Sequence, residues 1–375
     1  MTEGRPRIDW IEVAHEMGPG FAARAAAHDA GDAFVAENYA ELRARGVFGA
    51  GVPAELGGGG ASHAELADML RTLATYCSST ALALAMHTHQ VALPAWRWRH
   101  QQAPVEGFLR RVARDRLILV SSGGSDWLAG SGAAVKVDGG YRVTARKVFG
   151  SGGPAGDLLM TMAVYEDPHD GPVVLHFSVP LNAPGVAVQD TWRTLGMRGT
   201  GSHDIVLDDV FVPDDAIGVR RPAGRWSPAW HVVATLALPL VYAVYVGVAE
   251  AARALALRAA ARRRDDRIVQ RLAGEMDNEL TTARLAHRHM LDAAARGPMG
   301  DETTNQILIG RVLTGEAAIR TVERAMEVAG GAGFFRDFGL ERLFRDVQAA
   351  RYHPVREPAQ VLYSGRLALG LDIND

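Results

Sequence analysis

Residues 195–213 read LGMRGTGSHDIVLDDVFVP, a glycine-rich segment that leads directly into a strand pattern. Ile205 and Leu207 alternate with more polar residues, which is the period of two that a half-buried strand shows. The same alternation recurs at 141–146 (YRVTAR) and at 173–179 (VVLHFSV), and glycine- and proline-containing turn signals separate the runs. These patterns predict a middle domain of antiparallel β-structure.

Helical periodicity brackets the predicted sheet on both sides. Towards the N-terminus, residues 34–45 have helical spacing, and residues 80–92 are apolar on nearly all sides, which predicts a buried helix. Towards the C-terminus, apolar residues from Leu308 to Ala329 step alternately by four and three, until Gly330 and Gly331 end the helix. The sequence therefore predicts an α+β fold in three blocks: an N-terminal α-helical domain at 1–116, a middle antiparallel β-domain at 117–224 and a C-terminal helical domain at 225–375.

The composition is ordinary for a globular protein and excludes several other classes. The chain has 375 residues, and 40 Lys+Arg against 43 Asp+Glu give a net charge of −3. A nearly neutral chain has no general affinity for nucleic acid or for an acidic membrane surface. The single cysteine, Cys77, excludes a disulfide framework and fits a reducing compartment, so we expect a cytoplasmic protein. Residues 232–249 carry no charge, but Pro239 and the polar helix that follows predict a core helix rather than a membrane span.

The order of short motifs resembles that of the acyl-CoA dehydrogenase superfamily over nearly the whole chain. The matching segments are LRARGV at 42–47 with the glycine run at 57–60, VSSGGSD at 120–126, RKVFGSG at 146–152, the segment at 195–213, and EVAGGAGFFRDFGLERLFRD at 327–346. The resemblance implies that the C-terminal domain is a long four-helix bundle on which a homotetramer is built. It also implies a flavin cofactor, either FAD or FMN.

A flavin site follows from the same resemblance. Phe149 stands where the family places an aromatic wall for the isoalloxazine ring, usually a Trp, and Ser151 can give a hydroxyl to flavin N5. A serine-rich loop can supply backbone N–H groups, and a later glycine turn in the family approaches the flavin phosphates of a neighbouring subunit. The cofactor-binding residues predicted in this way are Ser121, Ser122, Ser125, Phe149, Ser151, Glu327, Gly330 and Gly331.

The chain departs from the family where a dehydrogenase carries its catalytic base. Most members hold a Glu in a Tyr-Glu-Gly-Thr motif, and here His353 and Pro354 stand at the Tyr and Glu positions. Other members carry the Glu on the first long C-terminal helix, where this chain reads LALPL at 236–240. Both usual positions lack an acid. The resemblance therefore favours the oxygenase branch, similar to dibenzothiophene monooxygenase and p-hydroxyphenylacetate hydroxylase, which receives reduced flavin from a separate reductase.

Histidines are the predicted catalytic groups, because that branch carries one late in the C-terminal domain and another on an early buried helix. His353 matches the first position, and His87 or His89 the second. Imidazole changes its charge near neutral pH and can act as acid or base. His87 and His89 are two residues apart on a helix, so only one can face the pocket. Together with Ser151 these histidines form the predicted catalytic set, although each histidine could also be a hydrogen-bonded core residue or a helix cap.

The predicted substrate pocket is mostly apolar and aromatic, which suits a hydrophobic small molecule. Trp127, Tyr242 and Tyr245 are expected to line it, and His203 is expected either to line it or to face a strand exit. No spacing of ligands typical of a metal site occurs in the sequence, so no metal is expected.

Three functional hypotheses remain open at this point. The favoured one is a flavin-dependent monooxygenase that uses reduced flavin and O2 on a hydrophobic small molecule, with a separate flavin reductase as partner. The second is an acyl-CoA dehydrogenase that acts on an acyl thioester and passes electrons to an electron-transfer flavoprotein; its base would then be elsewhere, at Asp126, Asp204 or Glu357. The third is a flavin-free scaffold or binding homologue.

Overall fold

A computed structural model of the chain describes residues 8–122 and 127–374. Its N-terminal part is helical, with α1 (Trp10–Ala30), α2 (Ala36–Ala44), α3 (His63–Tyr76), α4 (Ser78–Gln101) and α5 (Glu106–Asp115). Ser62 and Glu65 form a reciprocal capping box at the start of α3. Most of α4 is buried, as its apolar sequence predicts, and this central position makes it one wall of the functional site.

The middle part of the chain is a β-sheet. Its strands are β1 (Leu119–Ser121), β2 (Ala133–Val137), β3 (Gly140–Gly150), β4 (Leu158–Asp167), β5 (Gly171–Pro180), β6 (Val186–Val188), β7 (His203–Pro213) and β8 (Val219–Pro222). They lie in the order β6-β7-β3-β2-β4-β5-β8, and β1 pairs with β4. The alternating residues of β3 and β5 face a shared apolar core, as their sequence pattern predicts.

The sheet differs from the predicted antiparallel arrangement in two places. β4 pairs in parallel with both β1 and β2. The reason is topological: β3 returns antiparallel beside β2, and the chain then crosses to the other edge of β2 before β4 begins, so that β4 and β2 run in the same direction.

The C-terminal part consists of the long helices α6 (Pro228–Ala260), α7 (Arg267–Arg296) and α8 (Asp301–Ala329) and the shorter helices α9 (Leu340–Val347) and α10 (Glu357–Ala368). The apolar seam predicted on α8 is buried against α6 and α7. Gly247 allows α6 to approach α3 closely, because a Cβ atom at this position would stand 2.2 Å from the carbonyl oxygen of Arg71.

The charge-free segment at 232–249 lies inside α6. The helix is long and apolar enough to cross a membrane by length and composition alone, but 89% of its most apolar window is buried against the rest of the protein. It is therefore the core helix that the sequence predicts, and its first turns form a second wall of the functional site.

Candidate flavin and substrate cavity

A cavity of about 700 Å³ lies between α4, the sheet, the first turns of α6 and the segment that follows α9. One stripe of α4 faces it, formed by Leu82, Met86, His89, Gln90, Leu93 and Arg97, which follow the helical spacing of three and four residues. A cavity of this size at the meeting point of three layers, walled mainly by apolar and aromatic side chains, is typical of a cofactor or substrate site.

Phe149 is presented to this cavity by a strained β-bulge. Lys147 and Gly150, the partners of Ile205 and His203, are three positions apart on β3, whereas Ile205 and His203 are two positions apart on β7. β3 therefore carries one extra residue before Gly150. Phe149 sits in this bulge with φ of 59°, a left-handed conformation that is unusual for a bulky residue. Its ring is 45% exposed and meets Trp192 edge-on at 5.9 Å. Strain of this kind is concentrated at functional sites, and here it holds an aromatic face open to the cavity.

A chain of hydroxyls fixes the direction of the Ser151 hydrogen bond. Thr200 donates its only hydroxyl proton to the carbonyl oxygen of Met197 at 2.9 Å, so Ser202 must donate to Thr200 at 2.7 Å. Ser151 must then donate to Ser202, also at 2.7 Å. In this arrangement Ser151 can only accept a hydrogen bond from a group in the cavity. If Ser151 offers its hydroxyl to flavin N5, as the resemblance implies, this arrangement would make it the acceptor.

Three histidines line the cavity, and hydrogen bonds set the proton position in each. His89 donates from Nδ1 to the carbonyl oxygen of Ala85 at 3.1 Å and accepts at Nε2 from the amide nitrogen of Gln90 at 3.0 Å. His176 accepts at Nε2 from Arg221 at 3.0 Å, so its neutral ring carries the proton on Nδ1. Burial lowers the pKa of both imidazoles from 6.5 to about 4, which keeps them neutral at physiological pH.

His353 is held by a phenol behind the cavity wall. Its Nε2 lies 2.5 Å from the hydroxyl of Tyr245, which is fully buried and has no other partner among the described residues. Burial raises the pKa of Tyr245 well above its ordinary value, so the phenol keeps its proton. A buried O–H must donate, and Nε2 is the one acceptor that the described part of the chain gives this hydroxyl. His353 therefore carries its own proton on Nδ1, and burial lowers its pKa to about 3.

The backbone around His353 is anchored as firmly as its ring. Arg311 donates to the carbonyl oxygen of His353 at 2.6 Å and is itself buried, with its guanidinium over the ring of Tyr242 at 5.3 Å. The hydroxyl of Tyr242 donates to the carbonyl oxygen of Ala350 at 2.7 Å. These bonds tie the segment after α9 to α6 and α8, and they fix the position from which His353 faces the cavity.

Several of the predicted site residues line the cavity and others do not. Those that line the cavity are Ser121, Ser122, Trp127, Phe149, Ser151, His89 and His353. Ser125 lies outside the described residues. The geometry corrects the assignment of Tyr242 and Tyr245 as substrate contacts, since both are fully buried behind the wall and do not line it.

Two further histidines turn out to have structural roles. His87 donates from Nε2 to the carbonyl oxygen of Phe48 at 2.8 Å and accepts at Nδ1 from the N–H of Leu119 at 2.9 Å, so both ring nitrogens are used to join α4 to β1. His203 accepts at Nδ1 from the N–H groups of Thr191 and Trp192, both at 3.0 Å. Neither lines the cavity, which corrects the catalytic prediction for His87 and the substrate-binding prediction for His203.

The predicted phosphate turn lies apart from the cavity within a single chain. Gly330 has φ of 62° and ends α8, as predicted, while Arg263 donates to the carbonyl oxygens of Val328 and Ala329. Glu327 pairs with Arg324 at 2.8 Å on an exposed face. None of the three predicted residues Glu327, Gly330 and Gly331 lines the cavity, so any flavin contact they make is to a flavin held elsewhere, as in the family's neighbouring-subunit arrangement.

Among the described residues that line the cavity there is no Asp or Glu. Two of the acids considered for a displaced dehydrogenase base are remote from it: Asp204 pairs with Arg146 at 2.6 Å, and Glu357 is exposed at the start of α10. Asp126 lies outside the described residues. The described residues also contain no group of three or more His, Cys, Asp or Glu that could hold a metal ion.

The structure adds cavity residues that the sequence reasoning missed, namely Gln90, Arg97, His176, Ser202 and Trp230. A signal existed for His176, because the alternation of β5 places it on the opposite face from Val173 and Leu175. A signal existed for Arg97 too, because it continues the stripe of α4 that begins at Leu82. Neither signal could be used from the sequence alone, because the sequence does not say which face of β5 or of α4 faces the cavity.

The wall suits an isoalloxazine ring. It offers an exposed aromatic face at Phe149, an oriented acceptor at Ser151, and the hydroxyl of Ser122, which bonds to Thr161 at 2.7 Å. A flat heterocycle with alternating donors and acceptors along one edge needs this combination. In a bound flavin the ring would supply the redox chemistry, and Phe149 and Ser151 are the residues that would hold it.

The fold and the cavity define a flavin-dependent oxidoreductase with helical, sheet and helical parts, and comparison with known proteins agrees. Three family models match in this order: the acyl-CoA dehydrogenase N-terminal domain at residues 13–103, the middle domain at 121–210 and the C-terminal domain at 239–353. The chain belongs to the acyl-CoA dehydrogenase family.

Similar proteins of known name include a nitrososynthase and a monooxygenase. The amino sugar nitrososynthase RubN8 of Streptomyces rubradiris is 30% identical, over 94% of this chain and 88% of that protein. A dibenzothiophene monooxygenase of Mycolicibacterium goodii is 28% identical, over 93% of this chain and 90% of its own. Among solved structures, KijD3 in complex with FMN and dTDP-3-amino-2,3,6-trideoxy-4-keto-3-methyl-D-glucose superposes with a TM-score of 0.89 and 29% identity, covering 99% of this chain and 96% of that one.

Proposed function

We propose that this chain is a flavin-dependent monooxygenase that takes up reduced flavin from a separate reductase and uses O2 to oxygenate an apolar small molecule. One observation carries the proposal. Each of the three cavity histidines uses its lone-pair nitrogen for an internal bond, from Gln90, Arg221 or Tyr245, and carries its proton on Nδ1. Among the described lining residues, these histidines therefore present no free lone pair where a dehydrogenase needs a base, and His176 and His353 each keep an Nδ1–H that no other described residue accepts.

The chemistry of the two reactions explains why this matters. Desaturation of an acyl thioester begins when a base removes an α-proton, and an imidazole whose lone pair is occupied and whose pKa is about 4 or 3 is a poor base for it. Reduction of dioxygen instead develops negative charge on oxygen, which a preorganised N–H donor stabilises. His176 and His353 are the two candidates, because the Nδ1 of each has no hydrogen-bond partner among the described residues, and the resemblance to the oxygenase branch puts His353 first.

The direction of the Ser151 hydrogen bond supports the use of flavin that arrives reduced. Flavin N5 carries a hydrogen only in the reduced ring, whereas in the oxidised ring it is an acceptor. Because Ser151 donates to Ser202, it offers lone pairs to the cavity and matches a donor at N5. We therefore expect the protein to bind reduced FMN more tightly than oxidised FMN.

The test compares the two oxidation states in three proteins: the wild type, Ser151→Ala and Ser202→Ala. Ser151→Ala should weaken reduced FMN by about fivefold, the value of one net hydrogen bond, and leave oxidised FMN unchanged. Ser202→Ala should free the Ser151 proton and so reduce the preference for the reduced state. Dissociation constants can be measured anaerobically by ultrafiltration. Tighter binding of oxidised flavin, together with bleaching of the bound flavin by acyl-CoA thioesters in the absence of O2, would establish the dehydrogenase instead.

Oxygenation of an amine nitrogen is a second candidate reaction. RubN8 is named as an amino sugar nitrososynthase, and the described cavity wall here carries arginines and neutral histidines without a carboxylate. Such surroundings disfavour an ammonium ion and keep a bound amine unprotonated, with a lone pair free to accept oxygen. Mass spectrometry after turnover with benzylamine and with thioanisole in ¹⁸O₂ distinguishes nitrogen from sulfur oxygenation.

We also propose that the protein is a cytoplasmic homotetramer. Phe334 and Phe335 follow the glycine turn at 330–331 and are 84% and 69% exposed, which is unusual for neighbouring large apolar residues. In a tetramer this turn would be covered by another copy. Mass photometry of the wild type and of Phe334→Asp tests the assembly: four copies are expected for the wild type and fewer for the variant.

A further inference from the structure

Few charged side chains line the cavity, and they differ in whether they have an ion-pair partner. Among the described lining residues, only Arg97 and Arg345 carry a permanent charge. Arg345 is paired with two carboxylates, because it contacts Asp29 at 2.6 and 2.9 Å and Glu341 at 2.7 Å. The guanidinium of Arg97, by contrast, makes no hydrogen bond or ion pair with any described residue, although the side chain is partly buried.

Arg97 lies well away from His89 along α4. It lies eight residues after His89 on the same stripe of α4, which is about 12 Å along the helix axis. Beyond it the chain turns back, with the N–H of Ala103 bonded to the carbonyl oxygen of Arg97 at 3.2 Å, and Val105 and Phe108 continue the wall. This part of the cavity is therefore an apolar pocket with one unpaired cation.

We infer that Arg97 is the binding site for an anionic group on the apolar ligand, either a carboxylate or a phosphate. A guanidinium forms bidentate bonds with both of these groups, and a partly desolvated one gains more from such a partner than one in water. No described lining residue would repel an anion, since none is acidic. The inference rests on the proposed function for the identity of the site. It deepens that function by naming the class of substrate: an apolar molecule with one negative group, which binds at the Arg97 end of the cavity, about 12 Å along α4 from His89.

Helix stabilisation is the alternative role for Arg97, since a cation near the end of α4 interacts favourably with the helix dipole. Arg99 provides the matched control. It is two residues away near the same helix end, but it is exposed and does not line the cavity. A dipole role predicts equal effects for the two arginines on stability and none on ligand binding, whereas an anion site predicts an effect on binding for Arg97 alone.

The experiment uses two probes that differ by one charged group. These are 8-anilino-1-naphthalenesulfonate and N-phenyl-1-naphthylamine, which is the same skeleton without the sulfonate. Both are titrated by fluorescence into the wild type, Arg97→Gln, Arg97→Lys and Arg99→Gln. We expect Arg97→Gln to weaken the sulfonate probe by about tenfold, the value of one charge-assisted bond. The neutral probe should change by less than about twofold, Arg97→Lys should recover part of the loss, and Arg99→Gln should resemble the wild type.

A parallel titration with reduced FMN and reduced riboflavin separates the two sources of the anion. If the anion belongs to the substrate, Arg97→Gln leaves both flavins unchanged. If it is the phosphate of FMN, Arg97→Gln weakens FMN but not riboflavin, and the site is assigned to the cofactor. Equal loss of the charged and neutral probes, or no loss of either, overturns the inference. Failure of all four proteins to bind reduced flavin would count against the proposed function while leaving the probe comparison valid.

Discussion

Tyr245→Phe isolates the most specific feature of the cavity, the bond that sets the proton position of His353. The substitution removes one oxygen atom and leaves Nε2 of His353 without its donor in a buried environment. An unsatisfied buried acceptor costs about 1–3 kcal/mol, so the variant should be less stable by that amount. More importantly, the imidazole proton is then no longer confined to Nδ1.

The kinetic consequence follows from the charge that develops on dioxygen. One oriented donor lost at that point should slow the oxidation of protein-bound reduced FMN about tenfold, equivalent to about 1.4 kcal/mol of barrier. Stopped-flow absorbance measures this rate directly, without knowledge of the substrate. The ¹⁵N shifts of selectively labelled histidine report the proton position, with Nδ1 protonated in the wild type and a mixture expected in the variant.

Tyr242→Phe is the matched control, because it removes the neighbouring buried phenol. Its hydroxyl donates to the carbonyl oxygen of Ala350 and does not contact the ring nitrogens of His353. It should lower stability to a similar extent and leave both the oxidation rate and the ¹⁵N shifts unchanged. Equal slowing in the two variants would refute the reasoning, because a general loosening of the segment after α9 would then account for the effect.

Three further predictions concern the bulge, the buried histidines and β5. Phe149→Gly should weaken FMN binding about tenfold, measured by fluorescence titration. The stability of the variant should stay the same or rise, because glycine relieves the strain of the left-handed backbone at this position. A loss of stability equal to that of Phe211→Gly, which changes a similarly exposed strand residue, would contradict the prediction. Burial lowers the pKa values of His87, His89, His176 and His287 from 6.5 to about 4, so the unfolded chain binds more protons between these pH values and stability should fall as pH falls from 6.5 towards 4. His287→Gln should make this fall shallower in thermal melts, by about 1.4 kcal/mol per pH unit, and an unchanged slope would argue against a neutral His287 in the folded state. His176→Phe should retain FMN binding and slow the oxidation of bound reduced FMN less than His353→Gln does, and the reverse order would move the principal donor to β5.

The architecture could be predicted from the sequence because the spacing of apolar residues within each segment indicates whether it forms a helix or a strand. The apolar residues from Leu308 to Ala329 are spaced by four and three positions, and this pattern indicates a helix without knowledge of what packs against it. The alternation at 173–179 indicates a strand in the same way. The parallel pairing of β4 with β2 could not be predicted in this way. It depends on which edge of a hairpin the chain crosses to, and the sequence pattern of a strand is the same on either edge.

The cavity was predictable only in part, for a related physical reason. Sequence position placed Phe149, Ser151, His89 and His353 in one site, and all four line the same cavity in the structure. Their roles, however, depend on partners distant in the chain. The Tyr245 hydroxyl that orients His353 is 108 residues away, and Ser202, which takes up the hydroxyl proton of Ser151, is 51 residues away.

The same dependence explains the reassignment of Tyr245 itself. An aromatic residue on a helix beside a predicted pocket is equally compatible with facing the ligand and with standing one layer behind it. α6 is buried on almost every side, so its apolar pattern does not mark one face as the cavity face. Because Tyr245 stands in the second layer, its hydroxyl can act only through His353. An enzyme that needed His353 as a base would place an acceptor there, such as a carboxylate or a carbonyl oxygen, which would hold the proton on Nε2 and turn the Nδ1 lone pair to the cavity. A buried phenol with no other acceptor does the opposite, and this choice of residue at position 245 is the physical reason to expect a donor, and oxygen chemistry, at the cavity wall.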